Sequence, residues 1–188
     1  MITILDGGIG QELIARSKAE PTPLWATKVL LDEPDLVRAV HDDFFAAGAM
    51  VATTNSYSIH RDRLIRAGLD DRFETLHRRA CEIACASRDT VGGARVAGAI
   101  GPLIGSYQTG PLPEDATERF AEICRIQAPL VDLFLIETVS AIDHVRATLT
   151  GAAGHGKPVW LGLSVDDYDG TKLRSGEALE DALNWIDR

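Results

Sequence analysis

The sequence has no apolar run long enough to cross a bilayer, so no transmembrane helix is expected. Its N-terminus lacks a basic segment followed by an apolar core, and no secretory signal is expected there. Basic runs are missing as well. Lys and Arg number 19 against 28 Asp and Glu, a formal net charge of −9. This balance argues against nucleic acid and an anionic membrane surface as partners. Cysteine is scarce: three residues without dense spacing make no disulfide framework and fit a reducing cytoplasm. Nucleotide loops are absent too. The turn "GIGQEL" (8–13) has Gly8 and Gly10, but Leu13 stands where a dinucleotide fingerprint needs glycine. Asp6 beside it would repel a pyrophosphate. No Walker loop occurs.

What is present alternates. Short apolar runs at 2–5, 50–54, 95–100, 132–138 and 158–164 read as strands. Helical spacing follows at 35–47, 70–88, 113–127 and 140–150, with a last helix from about 176. In the first of these, Leu36, Val37, Val40, Phe44 and Ala47 form the apolar stripe, and Gly48 supplies a stop. The strands are continuous apolar runs, as expected where both faces are covered. Strand–helix alternation over 188 residues predicts a parallel α/β sheet. An open doubly wound sheet and a closed (β/α)8 barrel both meet that description.

The strands end in polar or small residues: Asp6-Gly7-Gly8, then Thr53-Thr54-Asn55-Ser56-Tyr57, Gly101-Pro102, Glu137-Thr138, and Ser164 before Asp166 and Asp167. In a parallel sheet these ends share one face, where such folds build their sites. Asp6 reads either as part of that site or as a cap for a helix beginning near Gly10. Thr53 and Thr54 are equally good strand residues. Glu137 follows "LFLI" directly, and an unpaired carboxylate in that setting is costly. It requires a neighbouring Lys or Arg, or a cationic ligand. Two acids at one mouth suit an ammonium group, and the N–H groups of Gly7, Gly8 and Ile9 at a helix start suit a carboxylate. Together they point to an α-amino acid.

His77, Cys81 and Cys85 recur every four residues on one helix, but the outer two lie roughly 12 Å apart along its axis. One zinc ion cannot bridge that span. Cys81, Cys85 and Cys124 therefore read as core residues, and His41, His60, His144 and His155 as packing or surface residues.

Five blocks carry a resemblance: "LDGGIGQEL" (5–13), "LLDEPDLVRAVHDDFFAAGAMVATTNSY" (30–57), "GAIGPLIGSY" (98–107), "DLFLIETV" (132–139) and "KPVWLGLSVDDYDGTKLRSGEAL" (157–179). In order, spacing and position they resemble the homocysteine S-methyltransferase family across essentially the whole sequence. The resemblance implies a (β/α)8 TIM-type barrel of which residues 1–188 form a single, partial homocysteine-binding domain, the first five βα units. It implies methyl transfer to the thiol of homocysteine, giving methionine, from donors such as S-methylmethionine, betaine or methyltetrahydrofolate. By similarity, Asp6, Gly7 and Gly8 hold the amino acid and Glu137 binds its ammonium group. Thr54 and Asn55 line the pocket, with Ser164 nearby.

Family members activate the thiol with zinc on three cysteines, one in an Asn-Cys motif after strand six and two in a Gly-Cys-Cys motif after strand eight. Neither motif occurs in this sequence. No metal ligand and no catalytic residue is thus assigned within 1–188, and the family's ligands are expected beyond Arg188. The expectation is that these 188 residues alone are inactive and that their open sheet edges favour a homo-oligomer. The alternative is a non-catalytic amino-acid-binding or assembly module.

Overall fold

The computed structural model describes residues 2–17 and 22–186. Its centre is a four-stranded parallel sheet in the sequential order β1 (Val51–Thr53), β2 (Arg95–Ile100), β3 (Leu133–Val139) and β4 (Val159–Leu163). Register is fixed by pairs such as Ala52 with Val96, Gly98 with Phe134 and Leu135 with Trp160. Strands that neighbour in space as they follow in sequence, each returned by a helix, form the wall of a barrel. A doubly wound sheet would reverse its order partway.

Helices cover the outer face. They are α1 (Ile9–Arg16), α2 (Ala26–Asp32), α3 (Pro34–Ala46), α4 (Arg61–Arg66), α5 (Phe73–Arg88), α6 (Ala116–Gln127), α7 (Ile142–Ala152) and α8 (Leu179–Ile186). The main core lies between this layer and the sheet, where Leu76, Ala80, Phe120, Ile123, Phe134 and Ile136 are buried together. The longer helices α3, α5 and α6 bury much of the stripe their 3.6-residue period predicts. In α3, Val37 and Val40 are buried, whereas Ala47 lies beyond its end and is exposed. Cys81 and Cys124 are core residues as expected, but Cys85 is only half-buried at the edge of the core, where its thiol donates to Leu130 O.

The first segment departs from expectation. Residues 2–5 form no strand, only a parallel bridge from Leu5 to Val51. Two backbone bonds still dock the segment beside β1: the Met50 N–H donates to Ile4 O and the Asp6 N–H to Val51 O. Ile2 and Ile4 are exposed, so little apolar burial favours a full ladder. At the other edge every β4 residue is only half-buried, unlike β2, which is buried from Val96 to Ile100. Two short helices, α2 and α4, fall where no periodicity signalled them. The helix expected from 113 starts at Ala116, after a turn closed by Ala116 N–H on Pro113 O. The last helix begins at Leu179 because 165–178 form a bridged loop, with Val165 opposite Leu173 and Lys172 opposite Ala178.

Candidate functional site

A cavity of about 820 Å³ opens at the C-terminal ends of the strands. Its wall includes Asp6, Gly7, Gly8, Thr54, Asn55 and Glu137, so six of the seven residues expected at the site come together. Ser164 does not line it. That residue follows β4, where its N–H donates to Val139 O and its carbonyl accepts from Arg174 N–H.

Asp6 is not a helix cap. Gly8 occupies the cap position of α1 without any side-chain bond. The Asp6 carboxylate instead accepts from the Thr53 N–H at 2.6 Å and from the Thr53 hydroxyl at 2.5 Å. Those two donors anchor it across the gap between the first segment and β1. Burial raises its pKa, and the Thr53 bonds offset only part of that rise. Gly7 makes the close approach possible: a Cβ there would lie 2.8 Å from the Phe44 ring.

Glu137 sits near the end of β3, where the ladder to β4 slips between Ile136 and Val139. Such an irregularity re-aims side chains at a sheet's rim. Thr138, next in sequence, takes a left-handed φ of 62°, and its hydroxyl bonds to the Tyr57 hydroxyl at 2.7 Å. Among the described residues no group donates a hydrogen bond to the Glu137 carboxyl and no Lys or Arg pairs with it. Burial, and next the charge of Asp6, push its pKa up to about 7. Two carboxyls thus share one mouth, one of them without a donor.

Thr54 and Asn55 face the cavity, yet their polar groups also serve the scaffold. The Ala99 N–H donates to Thr54 Oγ1 at 2.9 Å, and Asn55 Nδ2 donates to Ala26 O at 3.0 Å. Beneath them runs a buried polar chain. Ser56 donates to Ala99 O, so the Thr54 hydroxyl donates to Ser56 Oγ. Gln127 Nε2 donates to Ser56 Oγ and to His77 Nδ1, each at 3.1 Å. The His77 proton is then on Nε2, which donates to Ile59 O. Burial lowers the His77 pKa to about 4 and keeps the ring neutral.

Sequence reasoning missed Trp25, Arg63, Ser106 and Tyr107, which also line the cavity. Among the described residues three non-glycine residues have positive φ: Trp25 at 48°, Tyr107 at 65° and Thr138 at 62°. All three are in this wall. Strained backbone of this kind concentrates at functional sites. Trp25 and Tyr57 meet edge to face with ring centres 6.3 Å apart and give the cavity an aromatic side. Only Tyr57, in the polar run closing β1, carried a signal in the sequence.

A second cavity of about 720 Å³ lies between the 109–114 loop and α7. Its main polar groups are already bonded: Glu177 accepts from the Ile142 N–H and the Ser175 hydroxyl, and His144 bonds Gly110 O. The buried carboxyl without a donor, Glu137, is in the first cavity.

A metal centre is not built from these residues. Among the described residues no group of three His, Cys, Asp or Glu side chains could hold a metal ion. Burial raises the pKa of all three thiols, that of Cys124 to about 12. They stay protonated, whereas zinc needs thiolates.

The family model for homocysteine S-methyltransferase matches residues 3–188. The homocysteine S-methyltransferase of Escherichia coli (strain K12) is 30% identical over 95% of this chain and 64% of its own length. Homocysteine S-methyltransferase YbgG of Bacillus subtilis (strain 168) is 26% identical over 99% of the chain and 65% of its own length. The chain thus spans just under two thirds of these curated relatives. The metallated form of the homocysteine methyltransferase MmuM from Escherichia coli superposes with a TM-score of 0.86 at 27% identity, covering 99% of this chain and 70% of that one. A sequential parallel sheet, acids at the strand ends, and a match from residue 3 to residue 188 lead to one assignment: the chain belongs to the homocysteine S-methyltransferase family.

Proposed function

We propose that this chain builds the homocysteine site of an enzyme that transfers a methyl group to the homocysteine thiol, giving methionine. The observation that carries the reading is the donor-less Glu137 carboxyl beside Asp6. An ammonium group is the ligand that relieves it, because it supplies donors and cancels like-charge repulsion. Asp6, held by Thr53, supports the same ammonium. The substrate carboxylate would take the first N–H groups of α1, which have no acceptor within their own helix. That leaves the side-chain sulfur directed into the cavity. In the reaction the thiol gives up its proton to solvent, and the resulting thiolate sulfur bonds the methyl carbon. The donor's bond to that carbon breaks and its electron pair stays on the donor.

The described residues do not fit the zinc that the family resemblance implies: no three His, Cys, Asp or Glu side chains among them could hold a metal ion. A second reading is an amino-acid-binding module without methyl transfer, supported by the acid pair at the mouth of the cavity. The half-buried β4 edge and the exposed Ile2 and Ile4 support association with a second copy, which size-exclusion chromatography would detect. That Cys81, Cys85 and Cys124 form no disulfide fits a reducing, cytoplasmic location. Among the described residues no helix is long and apolar enough to cross a membrane.

Calorimetric titration with L-homocysteine and with 4-mercaptobutyrate, which lacks the ammonium group, tests the site. Homocysteine should bind and mercaptobutyrate should not. Equal binding of both, or of neither, overturns the assignment. Methyl transfer from S-methylmethionine, assayed with zinc added, then separates the enzyme from the module.

A further inference from the structure

We infer that Arg63 binds a carboxylate carried by the methyl donor, and so selects donors that have one. The inference rests on the methyl-transfer reading above. Arg63 lies on α4 and lines the same cavity as the acid pair. Its Nη2 donates to Pro102 O and Ile104 O, both at 3.3 Å, which turns the guanidinium under the 102–104 loop. Its Nε and Nη1 groups have no acceptor among the described residues. Burial lowers its pKa, as for a cation short of partners.

The neighbouring arginines differ. Arg61 pairs with Glu122 and Asp70, and Arg174 pairs with Asp167. Asp62, adjacent in sequence to Arg63, pairs with Arg66 at 3.4 Å. Arg63 is therefore the cation in this region that faces the cavity without an acid. A buried charge is costly unless a partner meets it.

The acid pair is not that partner. The charged groups acting on Arg63 are Asp62 and Arg66, and the charge acting on Glu137 is that of Asp6. The cavity thus has an anionic station and a separate cationic one. Homocysteine uses its ammonium group at the first, and its carboxylate belongs beside it at the start of α1. Arg63 is left for another anion. At about 820 Å³ the cavity has the size that holds one drug-like molecule or two small ones, and methyl transfer needs two. Arginine's planar fork matches a carboxylate with two parallel bonds.

Two probe pairs test this on the full chain: glycine betaine against choline, and S-methylmethionine against its carboxamide. Within each pair the methylated cation is constant and the carboxylate is present or absent. At least one carboxylate form should bind about tenfold or more tightly than its partner, the ratio a charged hydrogen bond supplies. Arg63→Gln should bring that ratio to about one while homocysteine affinity stays unchanged. Arg63→Lys, which keeps the charge, should retain part of the preference, and it also serves if the glutamine variant fails to fold. No preference in either pair, or a preference that survives Arg63→Gln, overturns the proposal. So does a loss of homocysteine affinity in Arg63→Gln matching the loss for the donor, since Arg63 would then hold the acceptor. If homocysteine itself does not bind the wild-type chain, the earlier reading fails instead.

Discussion

The mouth of the cavity and the layer directly beneath it treat buried polarity in opposite ways. Beneath, Thr54, Ser56, Gln127 and His77 form a chain in which each hydroxyl and ring nitrogen has a partner and a defined direction. Its loose end, Gln127 Oε1, faces the Cα of Gly98, where a Cβ would stand 2.2 Å away. At the mouth, among the described residues, no group donates to Glu137 and no acid forms an ion pair with Arg63. A fold that pairs its polar groups so closely one layer down leaves charges unpaired where a ligand supplies the partner. The lower layer holds Thr54, Asn55 and Ser56 still. The upper layer waits.

The largest effect should come from Glu137→Gln. Removing one member of a buried charge pair costs about 2–5 kcal/mol of binding, so homocysteine affinity should fall at least about 30-fold by calorimetry. The same variant should stabilise the free protein. Glu137's folded pKa of about 7 lies above its unfolded value, so its contribution to stability is present at low pH and is lost as pH rises through 7. At pH 8 the gain in urea denaturation should reach up to about 3 kcal/mol. Unchanged binding would erase the distinction between the two layers.

Gly98→Ala sharpens the lower side. The added methyl meets Gln127 Oε1, and overpacking of this kind costs about 1–3 kcal/mol. Urea denaturation should show that loss, with homocysteine affinity falling severalfold as the Thr54–Ser56 turn shifts. Thr53→Val removes one of the donors to Asp6. It should lower stability by about 1 kcal/mol and raise the Asp6 pKa further. Ser164→Ala should do least, within about 0.5 kcal/mol in stability and with no change in homocysteine affinity, because Ser164 lies outside the cavity wall.

How far the sequence revealed this arrangement depended on local pattern. The 95–100 run is the observed β2, and 35–47 and 132–138 match α3 and β3 to within a residue or two, because long apolar periodicity sets them. Asp6 and Glu137 stood out as acids closing apolar runs. The bulge that aims Glu137 did not, since "LFLIETV" reads as an unbroken strand and the slip comes from pairing with β4. Trp25 and Arg63 escaped because α2 and α4 have seven and six residues, too few to show a period. Tyr107 reaches the cavity through a left-handed turn that tyrosine does not announce. Ser164 was a strand end like the others, but the 165–178 loop folds back over that end and its backbone binds Arg174.

The direct measurement is the pKa of Glu137, followed by carbon-13 NMR of its carboxyl group, free and with L-homocysteine. The account predicts titration near 7 in the free protein and a fall of at least about two pH units on binding, as the ammonium favours the charged form. An ordinary carboxylate pKa in the free chain, or one that homocysteine leaves unmoved, would contradict it.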